Sequence, residues 1–168
     1  MRSSFLPKIS LNDLNALREK GDFAALFEAL VMPVHEELYK RQDFSFIETL
    51  SPGQELLLRY DYVRMQVIQG GFIQLIQNGY IDLLPPMPAM LTQVGATEMA
   101  KILDDVLRVF SLNSETLGKE TTVEEFAQLY EEFREFEELD AAFERLNAET
   151  EIALVDYALR FPDEFMEL

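Results

Sequence analysis

The residues with the clearest chemical potential are carboxylates in the last third of the chain. Residues 120–168 hold sixteen acids and three bases, a net charge of −13, whereas residues 1–119 hold fifteen acids and eleven bases, a net charge of −4. Such a field attracts cations and basic proteins, and it repels nucleic acid and anionic membranes. We therefore expect a positively charged protein partner, and no direct binding to nucleic acid or to a membrane.

Seven glutamates form the candidate partner-binding face. Four share one side of a helix by their spacing and three lie beside it: Glu124, Glu131, Glu135 and Glu138, then Glu125, Glu132 and Glu137. Solvated helices usually mix lysine with glutamate, but here Arg134 and Arg145 stand against ten acids between Glu120 and Glu144. The face is open to two interpretations: an ordinary solvated surface, or a row of carboxylates that imitates phosphates.

The charge density is compatible with the second interpretation. At about 1.5 Å of helix rise per residue, the sixteen acids of residues 120–168 give about one charge per 4.6 Å. One strand of DNA carries a phosphate about every 3.4 Å. A protein that reads a phosphate backbone could therefore accept this face.

Catalytic and metal-binding alternatives rest on few residues. His35 is the sole histidine and the chain has no cysteine, so a zinc site or a histidine-activated nucleophile lacks its usual partners. The paired carboxylates Glu36 and Glu37, or Asp104 and Asp105, would suit a metal enzyme, but adjacent helical residues point about 100° apart. We expect no catalytic residue, no cofactor and no metal, and we keep a carboxylate-metal enzyme as an alternative.

The elements that position these residues are predicted to be helices. Apolar residues recur at three- and four-residue spacings almost throughout, and no alternating strand pattern appears. The sequence predicts an all-α fold, with residues 1–168 forming a single compact multi-helix domain. The absence of cysteine and of a long apolar stretch indicates a cytoplasmic protein without a membrane span.

Helix boundaries are marked by capping residues and breakers. Ser10 and Asp22 are expected to cap the first two helices, and Pro33 to kink or end the second. Ser51 begins a Ser-Pro-Gly-Gln start signal for a long helix that Gly70-Gly71 should interrupt near its end. The prolines at 85, 86 and 88 indicate a connector, and a helix is expected from about Thr97 to Phe110.

A long acidic amphipathic helix is predicted in the C-terminal third. It should begin at the overlapping capping boxes of Thr121 and Thr122, and a last helix should follow a cap at Asn147 or Thr150. The inward stripe of the acidic helix contains Val123, Phe126, Leu129, Tyr130, Phe133, Phe136, Leu139, Phe143 and Leu146.

A motif in the middle of the chain carries a resemblance. Gly70-Gly71-Phe72, with Gln74 and Asn78 at fixed offsets and Gly95-Ala96 further on, resembles a bacterial helical domain family first catalogued without a known function, which includes a DNA-mimic protein. The similarity covers roughly residues 46–165, and residues 1–45 form an N-terminal helical extension. The motif itself is interpreted as structural, because glycines and capping amides are what a tight turn needs.

The resemblance implies a homodimer with a role in transcription regulation. Its anionic surface would occupy the DNA-binding site of a helix-turn-helix regulator or a histone-like protein. A helical adaptor or dimer with an unrelated protein partner is the main alternative.

Overall fold

The chain folds into helices and turns. A computed structural model describes residues 3–168, and no β-strand occurs in that range, which confirms the all-α prediction. Met1 and Arg2, the start of the predicted domain and its N-terminal extension, lie outside the described residues. No helix in residues 3–168 combines the length and apolar character needed to cross a membrane.

Eight α-helices and three 3-10 helices follow one another along the described residues. The α-helices are α1 (Leu11–Glu19), α2 (Phe23–Arg41), α3 (Pro52–Gln77), α4 (Met87–Gln93), α5 (Thr97–Leu112), α6 (Ser114–Leu117), α7 (Val123–Glu132) and α8 (Glu135–Arg160). The 3-10 helices are Phe44–Thr49, Tyr80–Leu83 and Pro162–Glu164.

Close Cα neighbours divide the chain into two compact units. Unit 1 combines residues up to 61 with residues 149–168, and unit 2 is residues 62–148. Helices α3 and α8 each contribute one part to either unit. The assignment of residues 1–168 to a single domain stays a prediction.

Unit 1 is organised by capped helix starts. The Ser10 and Asp22 side chains accept hydrogen bonds from the first turns of α1 and α2, as predicted. At the start of α3, the Ser51 hydroxyl accepts from Gln54 N–H and the Gln54 side chain accepts from Ser51 N–H, a reciprocal capping box. The Ser51 hydroxyl also donates to the Glu164 carbonyl at 2.7 Å, which fastens the C-terminal segment to this helix start.

Unit 2 is organised around the predicted interruption of α3. Gly70 (φ −154°, ψ 15°) and Gly71 (φ +78°, ψ −179°) leave helical geometry, and the helix resumes until Gln77. Gly79 adopts φ +82° and closes this segment. Phe72 is fully buried and meets Phe143 of α8 edge-on, with ring centroids 5.7 Å apart.

Three boundary predictions were wrong. α2 does not end at Pro33 but continues to Arg41, with Val31 and Val34 buried on either side of the proline. The proline-rich connector contains the short helix α4, which has Pro88 in its first turn, where a missing N–H costs little. α8 runs through Asn147 and Thr150 to Arg160 without a new cap.

Candidate protein-binding surface

The acidic helix α7 begins at a capping box. The Thr122 hydroxyl accepts a hydrogen bond from Glu125 N–H at 3.2 Å, so Thr122 rather than Thr121 is the cap. Glu124 and Glu125 occupy the first turn, where a negative charge interacts favourably with the helix dipole. The capping boxes of Thr121 and Thr122 both predicted a helix start here, and Thr122 is the residue that caps the helix.

A glutamine that the sequence did not single out holds the loop before α7. The Gln77 side-chain amide donates to the carbonyls of Leu117 and Lys119, and its oxygen accepts from the Thr121 hydroxyl at 2.9 Å. Three bonds from one side chain fix the chain immediately ahead of the Thr122 cap. The start of α7 is therefore positioned by the end of α3.

The predicted single acidic helix is two helices. α7 ends at Glu132, Phe133 has φ −111° and ψ 61°, and α8 begins at Glu135. The glutamates therefore do not share one straight helical face: four lie on α7 and three lie in the first turn of α8. The prediction failed because Phe133 and Phe136 continue the apolar stripe in register, so the pattern carried no break signal.

The inward stripe is largely as predicted. Leu129, Phe133, Phe136 and Phe143 are buried. Val123 is the exception, since 84% of its surface is exposed. All seven candidate glutamates are exposed on the opposite sides of these helices.

The exposed glutamates make no ion pair with a lysine or arginine among the described residues. Within residues 3–168, no ion pair shorter than 4 Å joins any of the seven to a lysine or arginine, and Arg134 and Arg145 are exposed without such a pair. Glu125 has a weak contact with the Thr122 hydroxyl at 3.3 Å. The carboxylates of α7 and the start of α8 form a surface whose charge is not neutralised by the described part of the chain.

The α7 carboxylates face two directions. Glu125 and Glu132, seven residues apart, line a surface groove of about 410 Å³ together with Glu115 and Lys119. The buried Leu129 also lines it. The remaining α7 carboxylates are absent from this groove, so a partner that approaches α7 can meet carboxylates along two of its sides.

The motif glycines, phenylalanine and amides form a structural cluster. A Cβ at Gly71 would lie 2.3 Å from Asp140 Oδ2, and its φ of +78° disfavours any side chain. The side chains of Gln74 and Asn78 both donate to Gln66 Oε1, at 3.3 and 2.8 Å. Gly70, Gly71, Phe72, Gln74 and Asn78 thus lie at the break and at the end of α3.

The sequence analysis did not predict that Asp140 and Tyr130 contact the break, although it placed Tyr130 on the inward stripe. Asp140 Oδ1 accepts a hydrogen bond from Phe72 N–H at 2.8 Å, and the Tyr130 hydroxyl donates to the Gly70 carbonyl. Burial, together with the nearby Glu144 and Glu137, raises the pKa of Asp140 to about 6, although the Phe72 hydrogen bond opposes the shift. Burial and the Asp140 charge also raise the pKa of Tyr130.

The candidates for catalysis have structural partners. His35 Nε2 lies 2.7 Å from Asp61 Oδ2, and the two side chains are 16% and 6% exposed. Of the carboxylate pairs, Glu37 contacts Arg41 Nε at 2.8 Å and Asp105 contacts Arg108 Nη2 at 3.4 Å. One carboxylate of each pair is therefore engaged by a cation of its own helix.

Known proteins are similar to the part of the chain that contains the α3 break and the acidic helices α7 and α8. The family model described as DMP19-like protein matches residues 48–160, close to the extent expected from the motif. A protein of Neisseria meningitidis serogroup B, named DNA mimic protein DMP19, is 30% identical over 125 residues, which covers 71% of this chain and 74% of that protein.

Proposed function

The chain belongs to the DMP19-like family, and from this we propose that it is a non-enzymatic protein that binds the DNA-binding surface of a basic partner. The observation that carries the proposal is the set of seven exposed glutamates on α7 and α8 without cations in ion-pair distance. A phosphate-reading surface of lysine and arginine is complementary to such a set. The proposed partners are helix-turn-helix regulators and histone-like proteins, and the proposed place of action is the cytoplasm.

Helix geometry places carboxylates on two sides of α7, where several can face one partner. Glu124 and Glu131, like Glu125 and Glu132, are seven residues apart, which corresponds to about 10.5 Å along the helix axis. Two such rows lie on neighbouring sides of the helix and offer a partner several carboxylates at once. Long-range attraction to them would speed encounter and would weaken as salt is added.

Competition with DNA tests the proposal. A fluorescent operator bound to a helix-turn-helix regulator, or a fluorescent duplex bound to a histone-like protein, is titrated with the protein and followed by anisotropy. We expect the wild type to displace the DNA, and Glu131→Lys/Glu132→Lys to do so at least about tenfold more weakly, which is about 1.4 kcal/mol.

A matched control separates local from global charge effects. Glu19→Lys/Glu28→Lys changes the net charge by the same amount at two exposed positions of α1 and α2, and we expect it to compete like the wild type. If saturating wild-type protein leaves the DNA affinity of both partner classes unchanged, or if the control weakens competition equally, the mimic proposal fails.

A helical adaptor is favoured by one specific observation. Met65 and Ile68, three residues apart on α3 in unit 2, are 45% and 49% exposed. Apolar residues on one helix side can pack against another protein, including a second copy of this chain. Binding that persists in high salt and is lost on Met65→Ser/Ile68→Ser would indicate an adaptor.

We also propose that the protein is a homodimer with a helix-on-helix interface. The proposal rests on membership of the family and on these exposed apolar residues of α3. Sedimentation equilibrium should report twice the monomer mass in the micromolar range. A monomer at high micromolar concentration would remove this part of the proposal without affecting the competition result.

A further inference from the structure

The interruption of α3 leaves backbone groups that need partners from elsewhere in unit 2. In an unbroken helix Phe72 N–H would donate to the carbonyl four residues earlier, but the non-helical Gly70 and Gly71 disturb that ladder. Buried backbone groups without a partner cost about 1–3 kcal/mol each. The structure supplies one side chain from each acidic helix to meet this need.

Both acidic helices are fastened at the same point. Tyr130, near the end of α7, donates its hydroxyl to the Gly70 carbonyl. Asp140, in the second turn of α8, accepts from Phe72 N–H through Oδ1 at 2.8 Å. Its other oxygen lies against Gly71, within 2.3 Å of the position that a Cβ would take. One carboxylate therefore contacts the second glycine of the break and the residue that follows it.

The surroundings of this carboxylate are unfavourable for a negative charge. Glu137 and Glu144 of α8 repel its charge, and the Tyr130 hydroxyl of α7 is close enough for that charge to raise the pKa of Tyr130. From α3 it contacts the backbone of the break. No lysine, arginine or histidine among residues 3–168 lies in ion-pair distance of it. Its charge is thus opposed by burial and by two carboxylates and is supported by a single backbone N–H.

We propose that Asp140 is a proton-operated latch, in which a proton taken up by its carboxyl group fastens α8 more firmly to the break in α3. The neutral carboxyl still accepts from Phe72 N–H, more weakly than a carboxylate does, but it no longer carries the charge that burial disfavours most and that Glu144 and Glu137 repel. The ionised group makes the stronger hydrogen bond, but burial and both neighbouring carboxylates together oppose its charge. The latch affects how firmly the acidic helices are attached at the break in α3, and it is independent of any partner that binds these helices.

The direction of the effect follows from linkage. The pKa of Asp140 is raised from 3.8 to about 6 in the folded protein, so the folded state binds the proton more tightly than the unfolded state. The stabilisation is fully present below the unfolded value and is lost as pH rises through the folded value. Lowering the pH from 7 to 5 should therefore favour the closed latch by up to about tenfold.

Hydrogen exchange at Phe72 tests the latch directly. The protection factor of the Phe72 amide, corrected for intrinsic exchange, should rise between pH 7 and pH 5 in the wild type by up to about tenfold. In Asp140→Asn, a neutral side chain of the same shape that still offers an oxygen, the rise should disappear. A pH-independent wild-type factor, or the same rise in the variant, would overturn the proposal.

A second variant keeps the test decisive if Asp140→Asn does not fold. Glu144→Gln leaves Asp140 and its hydrogen bond in place and removes one repelling charge. The carboxyl carbon shift of Asp140 should titrate near pH 6 in the wild type and at lower pH in Glu144→Gln. Titration near pH 4 in the wild type, or an unchanged midpoint in the variant, would show that no latch exists.

Discussion

The two units carry nearly the same charge and place it differently. Unit 1 has sixteen acids and eight bases, a net of −8, and unit 2 has fifteen acids and six bases, a net of −9. In unit 1, Arg18, Arg41 and Arg59 contact Asp156, Glu37 and Glu55 within about 3 Å. In unit 2, the exposed glutamates of α7 and the start of α8 have no such contact within the described residues.

The difference shows why net charge along the sequence is a poor guide to a binding surface. Residues 120–168 contain most of the excess acid, but residues 149–168 belong to the same unit as the N-terminal helices. One of these acids, Asp156, lies 3.0 Å from the Arg18 guanidinium. What distinguishes the glutamates of α7 and the start of α8, among the described residues, is that no lysine or arginine lies in ion-pair distance of them, rather than the amount of negative charge.

The largest expected effect concerns the break that holds the acidic helices. Gly71→Val forces a branched side chain into φ +78° and against Asp140 Oδ2, 2.3 Å from the Cβ position. We expect the free energy of unfolding to fall by about 3 kcal/mol, from backbone strain and the disturbed Phe72 hydrogen bond. Chemical denaturation measures the loss, and amide exchange should show it first in unit 2.

Gly79→Val is the control for this substitution. Gly79 has φ +82° and ψ 12°, in the left-handed helical region, and a Cβ there meets no atom within 4 Å, whereas Gly71 has ψ −179° and lies against Asp140. The control should therefore lose only the cost of a left-handed residue, about 1–2 kcal/mol. Equal losses in the two variants would contradict the tighter constraint assigned to the break.

Helix content, most start signals and the α3 break could be predicted because each has a local cause. Ser51 with Gln54 forms the expected capping box, and the expected interruption of α3 lies at Gly70 and Gly71. The end of α7 could not be predicted, since neither glycine nor proline marks Phe133 and Arg134 and the apolar spacing continues across them.

Asp140 and Tyr130 are the part of the site that lay beyond sequence reasoning. They bond to the break from 68 and 60 residues away, and nothing in their local sequence distinguishes Asp140 from the neighbouring acids. The candidate glutamates could be predicted because exposed charges follow helical spacing. Their arrangement on two helices could not be predicted, because it depends on the junction between α7 and α8.

The smallest expected effect comes from replacing glutamate by lysine at three helix ends, one in unit 1 and two in unit 2. Glu132 is the last residue of α7 and Glu19 is the last residue of α1, where a negative charge opposes the helix dipole. Glu132→Lys removes that opposition among uncompensated carboxylates, so we expect stability to rise by about 0.5 kcal/mol. Glu19→Lys places its new charge between Arg18 and Lys20, so the gain should cancel.

Glu135→Lys, at the first residue of α8, loses a favourable dipole interaction and should lower stability by about 0.5 kcal/mol. Urea denaturation at low salt measures all three, and the differences should shrink in about 1 M salt because exposed charges are then screened within about 3 Å. If Glu19→Lys and Glu132→Lys stabilise the protein equally, the surroundings of the two helix ends do not differ in charge as the contacts indicate.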